Sequence, residues 1–190
     1  MVIEPVPSLF SYFREAITAV SVKRKVEAAP ETTDYLANLL VDAGTHTEVL
    51  HRSIVLTLDE ALSRGPGEQF VGLQAVGDGA LYLVSFFPEH LERERVDTSL
   101  YVSVGAFAYG RAAEIARTAG SALPRVLIDL NERFATYADV LGEVAASSAL
   151  GAVTKDLVKL FDRWKQTGSS VALEEMARRG AFPVKGGHRC

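Results

Sequence analysis

A chain of 190 residues, 48% apolar and 23% charged, is long enough to bury a substantial core and has the balance of an ordinary folded domain. Its net charge of −4 supplies no electrostatic drive toward nucleic acid, and the one basic run, Lys23-Arg24-Lys25, suits the C-terminal end of a helix. The single cysteine, Cys190, is the last residue, which argues against an intrachain disulfide, a cysteine metal site or a prenylation signal.

The N-terminal MVIEPVPSLF has neither a basic start nor a long apolar run, so no secretory signal is expected and the cytoplasm is the default compartment. Phe10, Phe13, Ile17 and Val20 recur at helical spacing and predict a first helix over residues 8–25. Pro30 is read as a stop. Thr32 or Thr33 then caps a second helix that carries Tyr35, Leu36, Leu39 and Leu40 and ends at Gly44. A third helix is predicted over 47–64, closed by Gly65-Pro66-Gly67.

The stretch from Phe70 to Pro88 is apolar almost all round and carries one acid, Asp78, in its middle. Its length approaches that of a membrane span. Gln74, Asp78 and three glycines argue against one, because a central charge costs about 2.5–3.5 kcal/mol on insertion scales. Gly77-Asp78-Gly79 also resembles a hairpin turn, but the flanking runs do not alternate. Phe70, Leu73, Gly77, Leu81 and Val84 follow a helical period, which favours a buried helix.

Glu89 to Asp97 reads as a charged linker. A helix over 99–118 follows, with a small-residue face of Gly105, Ala108, Ala112 and Ala116 beside Tyr101 and Tyr109. After Gly120 comes the cleanest pattern in the chain. Leu123, Leu127, Leu130, Phe134, Tyr137, Leu141 and Val144 alternate steps of four and three, a heptad face suited to bundle packing or a helical partner. Val153, Leu157, Leu160, Phe161 and Trp164 predict one more helix, and a short last one runs to about Arg179. Ala181 to Val184 is expected to dock on the body. The expected fold is all-α, a helical bundle of seven or eight helices in one domain over residues 1–184, with 185–190 a flexible tail.

No phosphate-binding glycine motif in a strand-turn-helix setting and no nucleophile elbow is present. Glu48 and His51 have the Glu-x-x-His spacing of di-iron helices, with His46 nearby, but a carboxylate metal centre needs two such motifs and two further glutamates. Asp78 is the stronger lead, because a charge on an apolar helix must find a partner or lose its ionisation. Gln74, Asp78 and Ser85 share a narrow stripe, with Tyr82 one turn beyond. The stripe either lines a pocket with Tyr82, Tyr101 and Tyr109, and His90 at its mouth, or pairs Asp78 internally with an arginine such as Arg111.

VGDGALYLVSFFPEHL over 76–91, followed by Tyr101-x-x-x-Gly105-x-x-Ala108-Tyr109, resembles a pattern in uncharacterised all-helical bacterial proteins, with Ser85 standing where a glycine is common. The resemblance implies a helical fold and a bacterial cytoplasmic setting, and no activity. Without a complete catalytic set, and with no cofactor or membrane implied, the leading expectation is a non-enzymatic module that binds a protein partner or its own copy. The rivals are a small-molecule binder around Asp78 and a metal protein using Glu48 and His51.

Overall fold

The computed structural model describes residues 9–42, 53–93, 95–117, 123–147, 160, 163–164 and 167–178. Among them every regular element is a helix: α1 (Leu9–Arg24), α2 (Pro30–Asp42), α3 (Ile54–Leu62), α4 (Pro66–Phe86), α5 (Pro88–Arg93), α6 (Thr98–Ala116), α7 (Leu123–Glu132), α8 (Phe134–Ser147) and α9 (Ser170–Arg178). The expected all-α bundle is what forms. The predicted stop at Gly44, the break at Gly120, the face of Val153, Leu157 and Phe161, the docking of Ala181 to Val184 and the tail lie outside the described residues, whereas the third helix expected over 47–64 begins only at Ile54, because Ser53 before it is extended at ψ 123°.

The apolar stripes dictate the packing. Phe13 and Ile17 of α1, Leu36 and Leu40 of α2, Leu73 and Leu81 of α4, Ala108 and Tyr109 of α6, and Leu127 and Leu141 of α7 and α8 close one continuous core. α4 lies at its centre, packed most extensively on α6 and also on α3 and α8, while the α1–α2 pair covers α8 and α7. The Phe70–Pro88 stretch is thus a buried helix and not a hairpin. No described helix is long and apolar enough to cross a membrane.

Helix ends follow local chemistry. Pro30 does not stop the chain but opens α2, where its missing N–H costs nothing. Thr32 and Thr33 therefore sit inside the first turn of α2, buried, and neither caps it. Thr33 instead donates to the Ala29 carbonyl at 3.2 Å. α1 ends in a Schellman turn. Lys25 takes a left-handed φ of 57°, Val26 N–H reaches the Ser21 carbonyl at 2.8 Å, and Lys25 N–H reaches Val22 at 3.1 Å. Just ahead of the predicted linker Pro88 starts α5, a helix that occupies its first half and closes the same way with Arg95 at φ 55°. Asp97 caps α6 by accepting from Ser99 N–H at 2.8 Å.

The heptad run of 123–144 breaks in two at Arg133, although its face continues across the break. Leu127, Leu130, Phe134, Tyr137, Leu141 and Val144 are all buried. That face is therefore spent on the protein's own core.

Ser21 is the one described buried side chain with a polar atom lacking a hydrogen-bond partner. An unsatisfied buried hydroxyl costs about 1–3 kcal/mol, so Ser21→Ala is expected to leave stability unchanged or raise it by about 1 kcal/mol in urea unfolding. A loss above ~1 kcal/mol would show that the hydroxyl has a partner.

Candidate functional site

Asp78 projects from the middle of α4 and is met from two other helices. Tyr109 of α6 donates its hydroxyl to Asp78 Oδ1 at 2.8 Å, and Tyr35 of α2 donates to the same oxygen at 2.7 Å. Gln74, one turn earlier on α4, donates Nε2–H to the Tyr35 hydroxyl at 3.0 Å. The two tyrosine rings meet edge-on, with centroids 6.4 Å apart. The chain Gln74–Tyr35–Asp78–Tyr109 joins α2, α4 and α6 through one carboxylate.

Local sequence makes room for it. A Cβ on Gly77 would lie 2.6 Å from Cε1 of the Tyr109 ring, so glycine is what lets that ring lie against the α4 backbone. Phe134, at the start of α8, backs the same ring with centroids 6.0 Å apart. α2 and α4 have little direct backbone contact, so Tyr35 reaches across to Asp78 on the length of its side chain.

Burial pushes the Tyr109 and Tyr35 hydroxyls well above the ordinary tyrosine range, and the negative Asp78 beside them adds to the shift. Both therefore remain donors. For Tyr137, too, burial raises the hydroxyl, reinforced by its hydrogen bond to Asp129. A phenol whose folded pKa exceeds its unfolded value of about 10 stabilises the fold fully below pH ~10 and loses that contribution as the pH climbs toward the folded value. Stability is expected to fall above pH ~10 by up to about 1.4 kcal/mol per pH unit for each such tyrosine. A titration of absorbance at 295 nm should show Tyr35, Tyr109 and Tyr137, half of the six tyrosines, ionising only as the chain unfolds. Six phenols titrating in one step near pH ~10 in the folded state would contradict this.

The other residues singled out from the sequence are placed as follows. Tyr82 is buried in a ring cluster, 4.8 Å from Phe86 and 5.5 Å from Phe87 between centroids. Ser85 is buried and donates back to the Leu81 carbonyl at 2.6 Å, so it stands apart from the Gln74–Asp78 bonds. Tyr101 is buried on α6. His90 is buried within α5, not solvated in a linker, and its amide bonds the Phe87 carbonyl. Arg111 does not pair with Asp78; it bonds Glu114 one turn along α6. Glu48, His51 and His46 lie outside the described residues, and no metal-ligating group of three occurs among those described.

Sequence reasoning missed a second polar cluster. Asp129 of α7 accepts from Tyr137 at 2.7 Å and from Thr32 of α2 at 2.8 Å, both on Oδ2, and from Arg133 Nε at 2.6 Å on Oδ1. Arg133 also donates to the Glu27 carbonyl at 2.7 Å and covers the Tyr137 ring at 5.0 Å. The spacing Asp129, Arg133, Tyr137 was the available signal, since residues four apart share a helix face. Thr32 and Tyr35 stand one turn apart on α2, and each reaches a different carboxylate.

Comparison with known proteins finds no matching family model, no matching curated protein and no matching solved structure.

Proposed function

We propose that the protein is a non-enzymatic helical module that binds another protein chain, its own copy included, through the outer face of α1. The observation that carries this reading is a second apolar stripe on that helix. Leu9, Tyr12 and Val22 expose 59%, 44% and 74% of their surface, with the exposed Ala19 between Tyr12 and Val22. The adjoining face of α1, Phe13, Ile17 and Val20, is already in the core. A helix apolar on two sides has one side left for a partner. The Asp78 chain supports the same reading from within. Its two tyrosine donors fill one carboxylate oxygen, which is the arrangement of a brace between helices.

Mass by light scattering over a range of concentrations, repeated on Val22→Glu, tests it. The expected result is association that the glutamate abolishes without unfolding the chain. A strict monomer that retains no partner in an affinity pull-down contradicts it.

A second reading, a small-molecule site around Asp78, is favoured by one observation: Gln74, Asp78 and Tyr35 are each only partly buried. On that reading Asp78→Asn loses ligand while keeping the fold. The metal reading rests on Glu48 and His51, and bound iron or manganese in elemental analysis would support it.

A further inference from the structure

α1 and α2 are joined through residues 25–29, and each packs more extensively on the other than on any other helix. The remaining helices keep a core of their own. α4 rests on α6, α3 and α8, α6 rests on α7, and the Tyr109 ring lies between the Gly77 backbone and Phe134. None of these contacts involves α1 or α2. A single stretch of chain, residues 43–52, leads from the pair to α3.

Polar bonds fasten the pair to three carboxylates, each on a different helix. Tyr35 donates to Asp78 of α4 at 2.7 Å, and Thr32 donates to Asp129 of α7 at 2.8 Å. Lys23 and Arg24 meet Glu143 of α8 at 2.5 Å and 2.7 Å. Arg133 adds a bond to the Glu27 carbonyl, between α1 and α2, at 2.7 Å. Separation of the pair leaves no carboxylate buried without a donor. Asp78 keeps Tyr109, Asp129 keeps Tyr137 and Arg133, and Glu143 meets water. The large penalty for stranding a buried charge is therefore avoided. The inward side chains Phe13, Ile17, Leu36 and Leu40 set the remaining cost. A unit that exposes only part of the core opens at a lower free energy than the whole fold.

We propose that α1 and α2 lift away as one unit while α3, α4, α6, α7 and α8 stay folded, with Asp78, Asp129 and Glu143 as the catches. The open state uncovers the sides of α7 and α8 on which α2 and α1 now sit. The unit is independent of what the outer face of α1 binds.

Native-state hydrogen exchange on the full chain, in urea rising through sub-denaturing concentrations, tests it. The amides of α1 and α2 are expected to merge into one class that opens about tenfold or more often than α4 and α6, with a smaller urea slope. Thr32→Val removes the donor to Asp129 and should speed exchange throughout α1 and α2 by about tenfold. Gly67→Ala, on α4 where a Cβ meets nothing within 4 Å, should slow α4 and α6 by about two- to fivefold and leave α1 and α2 unchanged. One shared class for all four helices, separate classes for α1 and α2, or exchange in α1 and α2 indifferent to Thr32→Val overturns the proposal.

Discussion

Asp78→Ala is expected to destabilise the protein by about 1.5–3 kcal/mol, the range for losing hydrogen bonds to a charged group. The substitution removes the acceptor shared by Tyr35 and Tyr109. Tyr109 is fully buried, so its hydroxyl cannot turn to water and is left with the neighbouring Tyr35 hydroxyl in place of the charged acceptor. Tyr35 retains the bond from Gln74 and a half-exposed position, so its share is smaller. Asp78→Asn keeps an acceptor oxygen in place and should cost less, about 1–2 kcal/mol, the difference between a charge-assisted and a neutral bond. Urea unfolding of the two variants checks both the size and the order. An Asp78→Ala protein within ~1 kcal/mol of wild type would mean that the tyrosines have other partners.

The second large effect concerns glycine on the α4–α6 seam. Helix propensity alone favours Gly→Ala by about 1 kcal/mol. At Gly105 packing reverses the sign. A Cβ there would stand 2.5 Å from the Phe134 ring and 2.7 Å from the Ala80 Cβ, and both neighbours are buried. Neither can yield without moving α8 or α4. Overpacking of this kind costs about 1–3 kcal/mol, occasionally more, so Gly105→Ala should lose a net ~1–3 kcal/mol. Gly67, in the first turn of α4, has nothing within 4 Å of a Cβ, and Gly67→Ala should gain about 0.5–1 kcal/mol. Opposite signs for one chemical change, read by thermal unfolding, separate packing from propensity. A stabilising Gly105→Ala would show that α6 can move off α4 at little cost.

Much of the fold was legible because helical periodicity is a local property. Phe70, Leu73, Gly77, Leu81 and Val84 carried the period of α4 through two glycines that also fit a turn. Asp78 stood out because nothing near it in sequence could satisfy it. Its partners were less legible, since Tyr35 is 43 residues away on a helix that barely touches α4. Arg111 was the nearer charge by reasoning from sign, yet it lies two residues past Tyr109 and turns to Glu114. The break at Arg133 had no glycine or proline to announce it. It coincides with an arginine held locally by Asp129 and, from the segment between α1 and α2, by the Glu27 carbonyl, a contact made only after that segment has packed. α5 was hidden by its charges, although Pro88 followed by Glu89 is an ordinary helix start.

The same contrast bears on function. The heptad face over 123–144 looked like a surface for a partner, and its side chains are in the core. The outward apolar stripe of α1 is offset from its core stripe by one residue, Tyr12 beside Phe13, so periodicity alone did not separate them.

The account stands or falls on Asp78 as a brace shared by α2, α4 and α6, and a double-mutant cycle between Asp78→Ala and Tyr109→Phe measures it directly. The account predicts a coupling energy of about 1.5–3 kcal/mol in urea unfolding, because each change removes the same bond. Effects that add within ~0.5 kcal/mol would contradict it.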